Sequence, residues 1–316
     1  MKALFLKKGR LVIKTLSKPS PLENEALIKV LKAGICNTDL ELTEGYMRFE
    51  GILGHEFVGR VAKAADSKWL GKRVVGEINL GCGKCEYCLR GMEEHCPRRQ
   101  VLGISGKNGA FAEYLTLPLE NLHLLPSSIS DVEAIFIEPL AASLEILEQI
   151  RIKKQDSVVV LGDGKLGLLI AQVMKLKTPR VSCVGRHKKK LEILKEKKIE
   201  TYFDGKKLRK KFDVVIEVTG NEQGLSEALF LVKPRGKVIL KSTFQEKPKV
   251  DISKIVVDEI HLLGSRCGPF SKAIEVLRKK QVEVERMVDG DFPLDKAREA
   301  FAFAQKPETI KVLITP

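Results

Sequence analysis

A strand-length apolar run at residues 157–161 (Ser-Val-Val-Val-Leu) leads directly into Gly162-Asp163-Gly164-Lys165-Leu166-Gly167, and then into an apolar helical pattern through Met174. Gly-x-Gly-x-x-Gly is weak evidence alone. Between a strand and a helix it restricts the chain to few folds. The glycines let the backbone approach a pyrophosphate, and the helix start offers amide donors and its positive dipole end. Strand–helix alternation continues, with strands expected at 180–184, 212–218, 236–240 and 260–265 and a helix over about 223–232. Repeated units of this kind imply a parallel sheet covered on both faces. Residues 139–265 are therefore expected to form a doubly wound α/β domain, with Gly162, Gly164, Lys165, Leu166 and Gly167 against a dinucleotide.

Charge at the end of the second strand bears on which dinucleotide. NAD-binding folds usually place an acid there to grip the ribose hydroxyls. This chain reads Gly185-Arg186-His187-Lys188-Lys189-Lys190, and the next acid, Glu192, lies well into the following helix. An acid repels a 2′-phosphate, whereas a guanidinium binds it in a bidentate fork. Gly185, Arg186 and His187 are expected at the adenosine ribose, with NADP favoured and NAD the alternative.

Metal-ligand spacing is the second strong signal. Cys82, Cys85, Cys88 and Cys96 follow the pattern C-x2-C-x2-C-x7-C. Four thiolates so spaced can close a tetrahedral, water-free structural zinc site. An iron–sulfur cluster is the rival, but the last gap is longer than in the usual cluster run. Upstream, Cys36 precedes Gly54-His55-Glu56-Phe57-Val58-Gly59. A thiolate, an imidazole and a carboxylate suit Zn²⁺ and leave a position open for substrate.

Cys36 with Thr38 and Asp39, then Gly54-His55-Glu56, resemble the catalytic-zinc motifs of the medium-chain alcohol and polyol dehydrogenases. The spacing of Cys82 to Cys96 matches that family's structural-zinc lobe (81–97). Gly-Ala-Phe-Ala-Glu-Tyr at 109–114 resembles its strand near the catalytic cleft. Asp-Val-Val-Ile-Glu-x-Thr-Gly at 213–220 resembles its fourth Rossmann strand, whose end, here Thr219, contacts the cofactor. The resemblance spans nearly the whole chain. It implies a catalytic domain over 1–138 and 266–316, built on a chaperonin-10-like (GroES-like) β-rich barrel, beside a Rossmann domain over 139–265. Period-2 alternation in the first sixty or so residues, as at 26–30, independently reads as short strands.

The resemblance further implies reversible oxidation of an alcohol, hydride passing to the nicotinamide and the catalytic zinc polarising the substrate oxygen. Thr38 matches the family's proton-relay hydroxyl. Where many alcohol dehydrogenases end that relay with a histidine, this chain has Glu41. Glu138, at the start of a helical run, stands where the polyol and sugar enzymes place an acid at the zinc. Either Glu56 or Glu138 is then the third protein ligand beside Cys36 and His55, with Glu138 either a direct ligand or a water-bridged group. Glu41 and Glu138 together tilt the substrate toward a secondary alcohol, polyol or sugar. The competing functions are a silent NADP-binding scaffold and a zinc-free quinone or enone reductase; the retained Cys36 and His55 weigh against both.

Composition limits the partners. Net charge is +14, with 55 basic and 41 acidic residues, yet the lysines are mixed with glutamates along helices and no aromatic-rich basic motif accompanies them. No nucleic-acid partner is expected. No run of about 18 apolar residues predicts a membrane span, and the first residues lack a signal-peptide core. Seven cysteines without an export signal point to metal or thiol chemistry in the cytoplasm. A homodimer or homotetramer is expected from the resemblance.

Overall fold

The computed structural model describes residues 1–204, 208–244 and 247–316. The apolar run after Ser157 is the strand Val158–Leu161, buried along its length, and it lies inside a six-stranded parallel sheet. Across that sheet the strands run Glu200–Phe203, Val181–Gly185, Val158–Leu161, Phe212–Glu217, Val232–Leu240 and His261–Gly264. Strand order reverses on either side of Val158–Leu161. Register sets Leu161 beside Val184 on one side and Glu217 on the other, so the carboxyl ends align at that reversal. Ligands bind α/β sheets at such a switch point. The glycine loop leaves the sheet there and opens the helix Lys165–Lys175, most of whose residues are buried. The doubly wound architecture is as expected. The edge strand Glu200–Phe203, half polar and short, has no apolar signature and was not anticipated.

By contact, the chain divides into Met1–Glu138 with Met287–Pro316, and Pro139–Arg286. Residues 266–286 thus differ from expectation: they group with the sheet just described rather than with the first domain. The helix Phe270–Arg278 buries Phe270, Ala273, Val276 and Leu277. Gly268 packs so tightly on Ala141 that an added Cβ would lie 2.2 Å from its carbonyl oxygen. Gln172 and Glu283 exchange two hydrogen bonds, Nε2 to the Glu283 carbonyl at 3.0 Å and the Glu283 N–H to Oε1 at 2.7 Å. These reciprocal bonds hold the segment to the helix Lys165–Lys175.

In the first unit a seven-stranded sheet runs Leu122–Leu124, Arg73–Gly76, Glu56–Ala64, Glu25–Gly34, Lys311–Thr315 and Val288–Pro293, with Tyr114–Pro118 also on Glu25–Gly34. The strand Val288–Pro293 was not expected; Gly290 and Pro293 interrupt its apolar pattern. Leu4, Ile28, Phe57, Phe111, Leu117, Val312 and Ile314 are among the buried residues of its core. The cysteine segment carries short elements only, the helix Glu86–Leu89 among them. Among the described residues, no helix is long and apolar enough to cross a membrane.

Candidate functional site

Gly54 sets the direction of the histidine segment. Its φ of +95° lies in the region glycine favours, and an added Cβ would meet the Phe111 ring at 2.9 Å. The Gly54 N–H donates to Asp39 Oδ1 at 3.1 Å, while Asp39 Oδ2 accepts the Cys36 N–H at 2.8 Å. Asp39 is fully buried in the helix Asn37–Thr43. One carboxylate therefore ties the cysteine turn to the histidine turn.

The donor atoms of Cys36, His55 and Glu56 lie within 4.8 Å of one another. His55 and Glu56 are 3% and 1% exposed, yet His55 Nδ1 and Glu56 Oε1 have no hydrogen-bond partner. Nδ1 stands 3.6 Å from Asp39 Oδ1, beyond hydrogen-bond reach. Unpartnered buried polar atoms are costly, and a cation accepted by all three groups would relieve the cost. The residues present therefore fit a zinc ion. Burial works against a charge on His55, but its interactions with Asp39 and with the Cys36 sulfur outweigh it and hold the imidazole well above its ordinary range.

A residue that the sequence reading passed over completes the cluster. Lys311, in the strand Lys311–Thr315, is fully buried and ion-paired with Glu56 Oε2. Its Nζ also lies 5.5 Å from the centre of the Phe136 ring. Gly34 permits the approach: a Cβ there would fall 2.8 Å from Glu56 Oε2 and 3.3 Å from Lys311 Nζ. The available signal was a lysine inside the apolar run Ile310-Lys311-Val312-Leu313-Ile314, since lysine is almost never buried unless paired.

Thr38 Oγ1 is 4.0 Å from Cys36 Sγ, and Glu41 lies one helical turn further along the same helix. Glu41 is half-buried; burial first, then Glu44, pushes its carboxyl up. Glu138 stands outside the Cys36–His55–Glu56 cluster, half-buried in the first turn of the helix Ile137–Gln149.

Cys82, Cys85, Cys88 and Cys96 also bring their sulfurs within 4.8 Å of one another. Cys85 and Cys88 sulfurs are 3.5 Å apart. That is far beyond a disulfide and close to the roughly 3.8 Å edge of a tetrahedron with zinc–sulfur bonds of about 2.3 Å. The set fits a closed structural zinc. The Lys84 amide draws the Cys82 thiol down to about 6, and burial pushes Cys88 up to about 11. Arg98 Nη2 donates to Cys82 Sγ at 3.3 Å.

In the second unit each loop glycine has its own reason. Gly162 has φ +119° and abuts the Val218 carbonyl, whose oxygen an added Cβ would meet at 3.0 Å. Gly167 packs on Gly162, where a Cβ would fall 2.0 Å from the carbonyl oxygen. Gly164 is exposed at the helix start, and a Cβ there would meet nothing within 4 Å. Tight turn, close packing and open approach are the three functions a pyrophosphate loop needs. Lys165 and Leu166 begin the helix, half-buried. Arg186 is exposed just past the strand Val181–Gly185, and His187 occupies the N-cap position of the helix Lys188–Glu196. Thr219 is exposed, with its N–H and hydroxyl donating to Glu217 Oε1.

One expectation needs correcting. Sequence order leaves the end of Val181–Gly185 without an acid, but the fold brings one: Asp163, from the glycine loop, lies against Gly185 and accepts the His187 N–H at 2.6 Å.

Residues 22–127 match the family model described as alcohol dehydrogenase GroES-like domain, and 132–315 match glucose dehydrogenase C-terminus. Sorbitol dehydrogenase of Halalkalibacterium halodurans is 30% identical, the alignment covering 98% of this chain and 96% of that protein. A candidate zinc-binding dehydrogenase of Sinorhizobium meliloti 1021, solved bound to NADP, superposes with a TM-score of 0.91 at 29% identity, covering 100% and 99% of the two chains. The short chain alcohol dehydrogenase rspB of Escherichia coli CFT073, complexed with NADH, gives 0.94 at 26% identity with the same coverage.

Proposed function

The chain belongs to the zinc-type medium-chain dehydrogenase superfamily, and on that footing we propose that it is an alcohol oxidoreductase that oxidises a secondary alcohol, polyol or sugar reversibly to the carbonyl with NADP. The observation that carries this reading is the trio of half-buried Cys36 with buried His55 and Glu56, whose Nδ1 and Oε1 are left unpartnered.

Cys36, His55 and Glu56 would hold the catalytic zinc, with Glu138 outside the cluster as a water-bridged neighbour. A zinc ion so held would supply Lewis-acid polarisation of the substrate hydroxyl, and a bound nicotinamide would supply the hydride acceptor. Thr38 receives the hydroxyl proton and passes it to Glu41, whose raised carboxyl suits a group that exchanges protons with solvent. Lys311 holds one oxygen of Glu56 and leaves the other for the metal. Cys82, Cys85, Cys88 and Cys96 hold the structural zinc. Gly162, Gly164, Lys165, Leu166 and Gly167 receive the pyrophosphate, Thr219 stands at the nicotinamide side, and Gly185, Arg186 and His187 face the ribose. The basic strand end favours NADP; the two solved relatives hold one cofactor each.

The sheet edge supports self-association. His261–Gly264 is the outer strand, Leu262 is 40% exposed, and the helix Ile252–Val257 exposes Ile252, Val256 and Val257. An open strand edge beside apolar side chains suits pairing with a second copy, giving a homodimer or a homotetramer. Thiolate metal sites suit the reducing cytoplasm.

A panel of alcohols, polyols, aldoses and amino-alcohols assayed with NADP and NAD, on wild type and Cys36→Ser, tests the reading. Oxidation of a polyol or sugar by wild type, abolished in Cys36→Ser, is expected. Binding of NADPH without turnover of any substrate would favour the silent scaffold instead.

A further inference from the structure

Gly185 ends the second strand buried, and a Cβ built on it would fall 2.4 Å from Asp163 Oδ2 and 2.5 Å from Asp163 Cβ and Cγ. Asp163 therefore fills the volume where a strand-end side chain would stand, and is itself only 6% exposed. Both carboxylate oxygens turn to one neighbour. Oδ2 accepts the His187 N–H at 2.6 Å, and Oδ1 lies 3.0 Å from His187 Nδ1. An ionised carboxylate has no proton to give, so Nδ1–H is the donor and Nε2 is the ring nitrogen left to meet a ligand. The imidazole keeps a quarter of its surface exposed. Arg186, the other candidate at this strand end, shares its field with the Glu227 carboxyl, which burial raises and Arg186 draws back down.

We propose that Asp163 is the positioning residue behind cofactor choice: it holds His187 across Gly185 so that an imidazole, rather than a carboxylate, meets the 2′ position of the adenosine ribose. The group so selected is a 2′-phosphomonoester. With Nδ1–H spent on Asp163, Nε2–H of the doubly protonated ring is the donor that would make a charge-assisted hydrogen bond to the phosphate. A strand-end acid in its usual place would instead grip the ribose hydroxyls and repel the phosphate. The position explains the glycine at 185, since any side chain there would evict Asp163. This inference deepens the NADP reading and rests on it.

The test compares kcat/KM with NADP and with NAD, and calorimetric binding of 2′,5′-ADP and 5′-AMP, for wild type, Asp163→Asn and Gly185→Ala. Asp163→Asn keeps the shape and removes the charge; Gly185→Ala pushes the carboxylate aside from the other direction. In both variants the NADP-to-NAD ratio, and the matching ratio of the two nucleotides, is expected to fall about tenfold, the scale of one charge-assisted hydrogen bond. A purely structural Asp163 would weaken both ligands alike and leave the ratios unchanged, which would overturn the inference. A rise in the ratio for Asp163→Asn would overturn it too, by showing that Asp163 grips the ribose itself. The wild-type ratio judges the NADP reading separately. A wild type that prefers NAD, with a ratio that still falls in both variants, sinks that reading and sustains the role of Asp163.

Discussion

Replacing Lys311 with methionine keeps the length of the side chain and removes the cation that faces Glu56. Both side chains are fully buried. Glu56 Oε1 already lacks a partner, so the change leaves a carboxylate with neither oxygen satisfied. Breaking a buried pair by removing one member costs about 3–5 kcal/mol, because the survivor's desolvation is no longer offset. At about 2–4 °C per kcal/mol for a domain of this size, the metal-free protein should melt roughly 10 °C lower. A bound dication compensates the same carboxylate, so most of the loss should return on adding zinc. Glu56→Gln combined with Lys311→Met should recover to within about 1 kcal/mol of wild type without metal, since no unpaired charge remains. Thermal melts in chelator and in excess zinc read each step. Lys311→Met melting within about 1 °C of wild type in chelator would refute the reasoning, because the pair would then contribute nothing to offset burial.

Metal affinity at the Cys36 trio should rise with pH. The raised imidazole of His55 is protonated in the metal-free protein near neutrality, zinc must displace that proton, and loading weakens as pH falls; equal affinity at pH 6 and pH 8 against a chromophoric chelator would contradict this. Gly164→Ala, whose Cβ meets only open space, should leave stability within about 0.5 kcal/mol while raising the cofactor KM at least about tenfold, an effect confined to ligand approach. Gly167→Ala should lose both, because its Cβ collides with the Gly162 carbonyl; melting curves and cofactor titrations separate the two variants. Leu262→Asp with Val256→Asp should yield monomers by light scattering if the edge strand His261–Gly264 carries association, and an unchanged mass would place the interface elsewhere.

What could be read in advance followed from period and spacing. The run 157–161 and its glycines announce a parallel sheet because both faces of Val158–Leu161 are buried and the loop glycines each answer a separate steric demand. The four cysteines and the Cys36–His55 pair are legible because metal ligands need particular donors, whatever surrounds them. Asp39, Lys311 and Asp163 were not assigned roles, and all three act through long-range approach. Lys311 meets Glu56 across 255 residues of chain, and Asp163 meets His187 across 24. An ion pair between distant residues leaves no periodicity. Only a side effect is visible: a lysine amid apolar strand residues, or a glycine where a side chain was expected. The misplaced boundary at 266 has the same origin. An amphipathic helix reveals that it has an apolar face, but not which core receives it, and the Gln172–Glu283 bonds that decide the matter lie far apart in sequence.

Anomalous scattering at the zinc edge, from crystals of the purified protein, tests the account most directly. Two peaks per chain are predicted, one enclosed by the four cysteine sulfurs and one about 2.0–2.3 Å from Cys36 Sγ, a His55 ring nitrogen and a Glu56 oxygen. An active preparation whose only peak sits among the four cysteines, with Glu56 held by Lys311 alone, would contradict it.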